Sequence, residues 1–188
     1  MQYQNIHLIY FSPTHTSAKI AYAIAEALEA DTLSESDITH EGLKEPLSMG
    51  GNELVIVAAP VYGGRVAETA MERIRMFKGN ATPVIPVVVY GNRDYEDALK
   101  ELSDALSAQG FVPVSAGAFI GEHSYSRKDM PIAAGRPDKD DLLKASEFGS
   151  EILKKLDNDV DGFTAVGGKR KFPVQGKRSF HSTGSCDG

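Results

Sequence analysis

Four hydroxyl side chains, Ser12, Thr14, Thr16 and Ser17, crowd into six positions immediately after the apolar run Ile6–Phe11 and just before a helical pattern opens. Chemistry of this kind suits a phosphate. The first amides of a helix lack intrahelical acceptors and carry the positive end of its dipole, and short hydroxyls add neutral donors at the same spot. No Lys or Arg lies between Phe11 and Ala18, so an anion here would be held by dipoles and neutral donors alone. A nucleoside triphosphate loop needs a Gly-Lys-Ser/Thr ending and a dinucleotide loop needs three spaced glycines; this segment has neither, and a monophosphate fits it better. The simpler alternative is that Ser12 or Thr14 caps the helix and does nothing more.

Three further segments combine glycine with aromatic residues: Pro60-Val61-Tyr62-Gly63-Gly64-Arg65, Tyr90-Gly91-Asn92-Arg93-Asp94-Tyr95 and Gly121-Glu122-His123-Ser124-Tyr125-Ser126. Taken singly, each reads as a tight turn with a tyrosine on its rim. Glycine also lets backbone approach a flat ligand closely, and three such segments at one end of a sheet point to a planar cofactor. His123 beside Ser124 is a poor hydrolytic pair, because neighbours in one loop rarely face each other and no Gly-x-Ser-x-Gly elbow is present.

The elements that must position these loops follow from the hydrophobic pattern. Strands are predicted at Ile6–Phe11, Glu53–Ala59 with Pro60 ending it, Val84–Tyr90 and Val112–Ile120, with a short one at Asp31–Ser34. Helices are predicted at Thr16–Ala30, Val66–Phe77, Tyr95–Gln109 closed by Gly110, and Lys139–Leu156 after a long loop over 121–138. Residues 35–52 read as polar turns. Strand and helix in alternation mean an α/β, doubly wound, five-stranded parallel sheet of order 2-1-3-4-5 with helices on both faces. Its ligands bind beyond the carboxyl ends of the strands, where all four unusual loops fall.

Bulk properties narrow the partners. The 188 residues suit one domain with a tail, and 41% hydrophobic content supports a core. A formal charge of -6 disfavours nucleic acid, which demands a basic face. The single Cys186 excludes an internal disulfide, no apolar run nears the ~20 residues that cross a bilayer, and the start lacks a signal-peptide pattern. A cytoplasmic protein without membrane attachment is expected. From residue 159 the chain turns Gly-rich and basic, Lys169, Arg170, Lys171, Lys177 and Arg178 standing against Asp159, Asp161 and Asp187. Residues 1–158 are therefore read as the domain and 159–188 as a tail or linker.

Together these segments resemble the flavodoxin family. Phe11-Ser12-Pro13-Thr14-His15-Thr16-Ser17 is similar to its FMN phosphate loop, aromatic-Ser-x-Thr-Gly-Asn-Thr, with His15 in place of the glycine, Thr16 of the asparagine and Ser17 of the threonine. The other three loops resemble, more narrowly, the flavodoxin half of bacterial proteins that fuse a flavodoxin domain to a ferredoxin. Cys186-Asp187-Gly188 stops where a Cys-x-x-Cys iron–sulfur motif would place its second cysteine, which suits a linker to such a domain; a basic tail with an incidental cysteine is the alternative. The resemblance implies an FMN-binding electron carrier working with a fused or separate ferredoxin-type redox partner. Its phosphate would lie at Ser12, Thr14, His15, Thr16 and Ser17, and its ring by Pro60, Val61, Tyr62, Gly63, Gly64, Tyr90, Gly91, Asn92, Arg93, Asp94, Tyr95 and His123. No catalytic nucleophile or metal is implied. Arg65, Arg93 and His123 near the ring would ease its reduction, unless Arg93 pairs with Asp94 or Glu96 in a solvated loop. An NAD(P)H-dependent flavin or quinone reductase on the same fold is the other reading. A signalling receiver domain would need acidic residues after the first strand and a lysine after the fifth, which Tyr10-Phe11-Ser12 and Gly121-Glu122-His123 do not supply.

Overall fold

A computed structural model describes residues 3–158; the tail over 159–188, and with it the expected domain boundary and Cys186, lies outside the described residues. The elements run β1 Asn5–Tyr10, α1 Thr16–Glu26, β2 Thr32–Asp37, β3 Leu47–Met49, β4 Glu53–Tyr62, β5 Arg65–Val66, α2 Glu68–Ile74, β6 Phe77–Gly79, β7 Thr82–Tyr90, α3 Ala98–Ala108, β8 Phe111–Pro113, β9 Gly117–Ile120 and α4 Lys139–Asn158. The main sheet is parallel in the order β2-β1-β4-β7-β8, with β9 continuing the edge beside β7. With β8 and β9 taken as two halves of one strand, this is the expected order 2-1-3-4-5.

The apolar runs are unbroken because both faces of the sheet are covered. Ile6, Leu8, Leu54, Ile56, Ala58, Ile85 and Val87 pack with Ile20, Ile24, Phe148 and Ile152 of α1 and α4. Alternate residues Ile9, Val55, Val57, Val84 and Val88 pack with Met71, Ile74, Leu99 and Leu102 of α2 and α3. The period-2 alternation of Cβ directions feeds two cores from one strand.

Several boundaries differ from the sequence reading, each for a local reason. Pro60 does not end its strand: it pairs with Val89 at the last register position of the β4–β7 ladder, where a missing N–H matters little, and β4 continues to Tyr62. Val66 is claimed by the hairpin partner β5, so α2 begins only at Glu68. Phe77 opens β6 instead of closing the helix, and β6 pairs in parallel with β3, a strand that the polar 35–52 stretch concealed. The edge strand breaks over 114–116, where the Val114 carbonyl accepts a hydrogen bond from Lys155 Nζ of α4. Gly110 closes α3 as expected: its φ of 89° and the adjacent Gly79 carbonyl leave no room for a side chain.

Candidate functional site

All four loops singled out in the sequence meet at the carboxyl end of the sheet. Thr14, Thr16, Pro60, Val61, Tyr62, Val89, Tyr90, Gly91, Gly121, Glu122, His123 and Ser124 line one narrow cleft there. Val89, Gly121, Glu122 and Ser124 were missed as site residues, although the 121–126 segment stood out. Gly121 had no signal of its own in the sequence: in the fold a side chain on it would strike Val89 Cγ1 at 2.7 Å and Thr16 Cβ at 3.2 Å, so, numbering each loop by the sheet strand it follows, with β8 and β9 as the fifth, the fifth loop reaches the first only through glycine.

The first loop is built from inside. His15 occupies the left-handed region, with φ 60° and ψ 6°, and caps α1 without a side-chain hydrogen bond. Its amide donates to the Ser12 carbonyl at 3.0 Å, and its carbonyl accepts from the Lys19 amide at 3.1 Å. Ser12 Oγ accepts from the Ala18 amide at 3.0 Å, while the Ser12 amide donates to Thr39 Oγ1 at 2.9 Å. Ser12 is thus a builder of the loop through its amide, its carbonyl and one lone pair of its hydroxyl. The helix-start amides of Thr16 and Ser17 have no intrahelical acceptor. The Ser17 side chain is fully buried, and its hydroxyl has no hydrogen-bond partner. The Thr14 and Thr16 hydroxyls lie 3.2 Å apart. The capping position itself belongs to His15, while Ser12 Oγ, from further back, takes the third helix-start amide, that of Ala18. That position demands positive φ, so His15→Gly is expected to stabilise the protein by roughly 0.5–1 kcal/mol by relieving left-handed strain. Urea denaturation measures this, and an unchanged or lower midpoint would show that the left-handed conformation costs His15 nothing.

The third loop is a hairpin. Val61 pairs with Val66 and Tyr62 with Arg65, and Gly63 and Gly64 form the two-residue turn with φ 61° and 79°, a geometry that glycines adopt without strain. Glu101 of α3 fixes its base, accepting from Arg65 Nε at 3.1 Å, Arg65 Nη2 at 2.8 Å and the Val66 amide at 3.1 Å. The Arg65 hydrogen bond, with help from that amide, holds the Glu101 carboxyl below its ordinary value. The Glu96 side chain lies over Gly64, and the positive φ of Gly64 disfavours any other residue there.

In the fourth loop Asn92 has φ 60°, and the rings of Tyr90 and Tyr95 pack at 5.4 Å. Burial raises the pKa of the Tyr62, Tyr90 and Tyr95 phenols, which stay protonated donors at neutral pH. Arg93 is 84% exposed and sits 3.6 Å from Glu96, so it belongs to a solvated ion pair. The two arginines expected to ease reduction are thus answered by carboxylates, Arg65 by Glu101 and Arg93 by Glu96. Ser12, Ser17, Gly63, Gly64, Asn92, Arg93, Asp94 and Tyr95 are not among the residues lining the cleft, Ser12 and Ser17 being buried; His15 lines a separate groove between α1 and α4.

The fifth loop carries His123, whose ring lies against the Gly91 backbone. Its Nδ1 accepts from the Tyr125 amide at 3.0 Å, so the neutral ring carries its proton on Nε2. Glu122 accepts from the Gly135 amide at 3.0 Å, and that bond, with one from Ser126, lowers its pKa. The loop is tied to α4 by Arg136, which donates through Nε and Nη2 to the buried Asp141 carboxylate. Among the described residues no group of three or more His, Cys, Asp or Glu could hold a metal ion, and no helix is long and apolar enough to cross a membrane.

A parallel sheet of this order, with its cleft at the carboxyl ends of the strands, defines a flavodoxin-like α/β fold. Solved structures of that fold superpose on it: a flavodoxin from the Archaea (TM-score 0.52, 14% identity, covering 81% of this chain and 99% of that one) and a WrbA-like flavodoxin from Agrobacterium tumefaciens (0.53, 15%, 82% and 98%). An NADH:FMN oxidoreductase in its apo form also superposes (0.55, 15%, 81% and 89%). At these identities the likeness is one of fold. No family model and no curated protein matches the chain.

Proposed function

We propose that the protein binds FMN in this cleft and passes electrons one at a time to or from a ferredoxin-type partner, joined through the 159–188 segment or separate. The observation that carries the reading is the phosphate loop: a fully buried Ser17 hydroxyl without a partner, beside two helix-start amides without intrahelical acceptors, and no cation from Phe11 to Ala18. A buried polar group left unpaired is costly, and a bound phosphate would satisfy it. The residues present therefore fit the group. Ser17, Thr14, Thr16 and the Thr16 and Ser17 amides would hold the phosphate; Tyr62, Tyr90, Gly91 and His123 would hold the ring.

Bound FMN supplies one- and two-electron redox chemistry, and the chain's part is to bind, orient and tune it. Tyr62 and Tyr90 offer flat faces and protonated phenols, and His123 offers an Nε2–H. Glu101 and Glu96 hold the Gly63–Gly64 turn from base and tip. Neutral and acidic groups dominate near the ring, which disfavours added negative charge there and suits a low-potential carrier.

Fluorescence titration tests the reading: FMN should bind more tightly than riboflavin, because charge-assisted hydrogen bonds to the phosphate are worth about 1.5–3 kcal/mol each. Equal dissociation constants would remove the phosphate-loop assignment. One observation favours the reductase reading as well: His123 Nε2–H and the 70% exposed Tyr125, whose rings lie 5.3 Å apart, border the cleft and could receive a second flat molecule. Stopped-flow mixing separates the two. Rapid reduction of bound flavin by NADH or NADPH supports the reductase, and reduction by a reduced ferredoxin alone supports the carrier.

A further inference from the structure

Arg73 of α2 reaches the phosphate loop by two routes without entering the cleft. Its Nη1 donates to the carbonyls of Ile38 and Thr39, both at 2.7 Å. Thr39 Oγ1 in turn accepts from the Ser12 amide at 2.9 Å. Its guanidinium also stands over the Phe11 ring, 5.7 Å from the centroid, and Phe11 directly precedes Ser12. The arginine stem packs on Gly42, where a Cβ would lie 3.1 Å from Arg73 Cγ. The segment so held is also joined to the end of β1, the Ile38 amide donating to the Tyr10 carbonyl at 2.9 Å. One cation therefore fixes both chain segments that meet at Ser12, the residue whose side chain and carbonyl shape the loop.

On the reading that the cleft binds FMN, we propose that Arg73 is a positioning residue for the phosphate loop and sets the preference for phosphorylated over unphosphorylated flavin. The guanidinium bonds two successive carbonyls through Nη1 while its centre stands over a ring, and a compact ammonium cannot fill both places. Loss of the arginine frees the 38–39 segment, lets Thr39 Oγ1 drift from the Ser12 amide, and blurs the placement of the Thr16 and Ser17 donors. The flavin ring contacts, supplied by other loops, are untouched.

The experiment uses the full chain. The unsubstituted protein is titrated first with FMN and riboflavin; equal affinities there overturn the FMN reading itself, before any variant is made. Arg73→Gln is then expected to weaken FMN about tenfold, roughly 1.4 kcal/mol, and riboflavin less than twofold, with Arg73→Lys recovering part of the loss. Thr39→Val should reproduce the selective loss, and the double variant should add little to it. The Ser12 amide resonance of the flavin-free protein reads the brace directly and should shift in Arg73→Gln. Equal weakening of both flavins, unchanged FMN affinity or an unmoved Ser12 resonance overturns the proposal. Should Arg73→Gln fail to fold, Thr39→Val, which keeps the Phe11 contact, gives the same two outcomes.

Discussion

Ser17→Ala is expected to make the flavin-free protein more stable while weakening its hold on FMN. The Ser17 side chain is fully buried and its hydroxyl has no partner, so deleting it removes an unsatisfied polar group, worth about 1–3 kcal/mol when fully desolvated. The gain in stability should fall near the lower end, about 1 kcal/mol, because a small void replaces the oxygen. A hydroxyl donating to a phosphate is charge-assisted, and its loss should weaken FMN by about tenfold to a hundredfold. Riboflavin has nothing to place there, and its affinity should not change. Thermal denaturation without ligand and titration with both flavins give the two numbers. A variant that is less stable without ligand would mean that the Ser17 hydroxyl serves the fold, and equal losses for both flavins would detach it from the phosphate.

Asp141→Asn is expected to lower stability by about 2–3 kcal/mol and to weaken both flavins alike. The Asp141 side chain is 5% exposed and accepts from Arg136 Nε and Nη2 and from the Asp138 amide at 3.0 Å. Removing one charge of such a pair leaves the other stranded. The cost falls short of the full buried-pair figure because Arg136 is 27% exposed and keeps Asp138 at 3.4 Å. The loop over 121–138 hangs on this pair, and Gly121, Glu122 and His123 line the cleft from it. Burial by itself would raise the Asp141 pKa, but the Arg136 hydrogen bonds and the Asp138 amide outweigh it and hold the carboxyl below its ordinary value.

Because the folded value is depressed, the stabilisation from Asp141 is complete above the unfolded carboxylate pKa of about 4 and is lost as pH falls through the lower folded value. The unsubstituted protein should therefore lose stability steeply in acid, and Asp141→Asn should flatten that limb while lowering the neutral plateau. Urea midpoints across pH 2–7 measure both. An unchanged acid limb would mean that other carboxylates carry the acid sensitivity.

Much of the architecture was legible from residue order alone. Runs such as Leu54–Ala59 and Val84–Val89 are apolar at every position because both sheet faces are covered, and the helical spacing of Ile20, Ala21, Ile24 and Ala25 leaves one reading of α1. Alternation of these elements determined a parallel doubly wound sheet, and with it the end at which the loops must meet. The crowding of Ser12, Thr14, Thr16 and Ser17 at a strand-to-helix turn was likewise a sequence property, since helix-start amides and short hydroxyls act locally.

Tertiary structure decided what depends on partners far apart in the chain. Pro60 failed to end β4 because Arg65 and Val66 fold back to pair with Tyr62 and Val61, and Val66 was thereby lost to α2. The pairing of β3 with β6 joins segments separated by two strands and a helix, and neither has a strong pattern of its own. Charge was the least legible quantity. Arg65 and Arg93 looked like cations for the cleft, but whether a charge is free depends on its partner, and Glu101 and Glu96 take them both. Ser12 and Ser17 are indistinguishable by type, yet the Ser12 amide donates to Thr39 Oγ1 and its hydroxyl accepts from the Ala18 amide, while the buried Ser17 hydroxyl is left unpaired. Sequence determines which groups are present at a site because composition is local. Which of them remain available to a ligand is decided by hydrogen-bond partners, such as Thr39 27 positions away, that only the folded chain brings within reach.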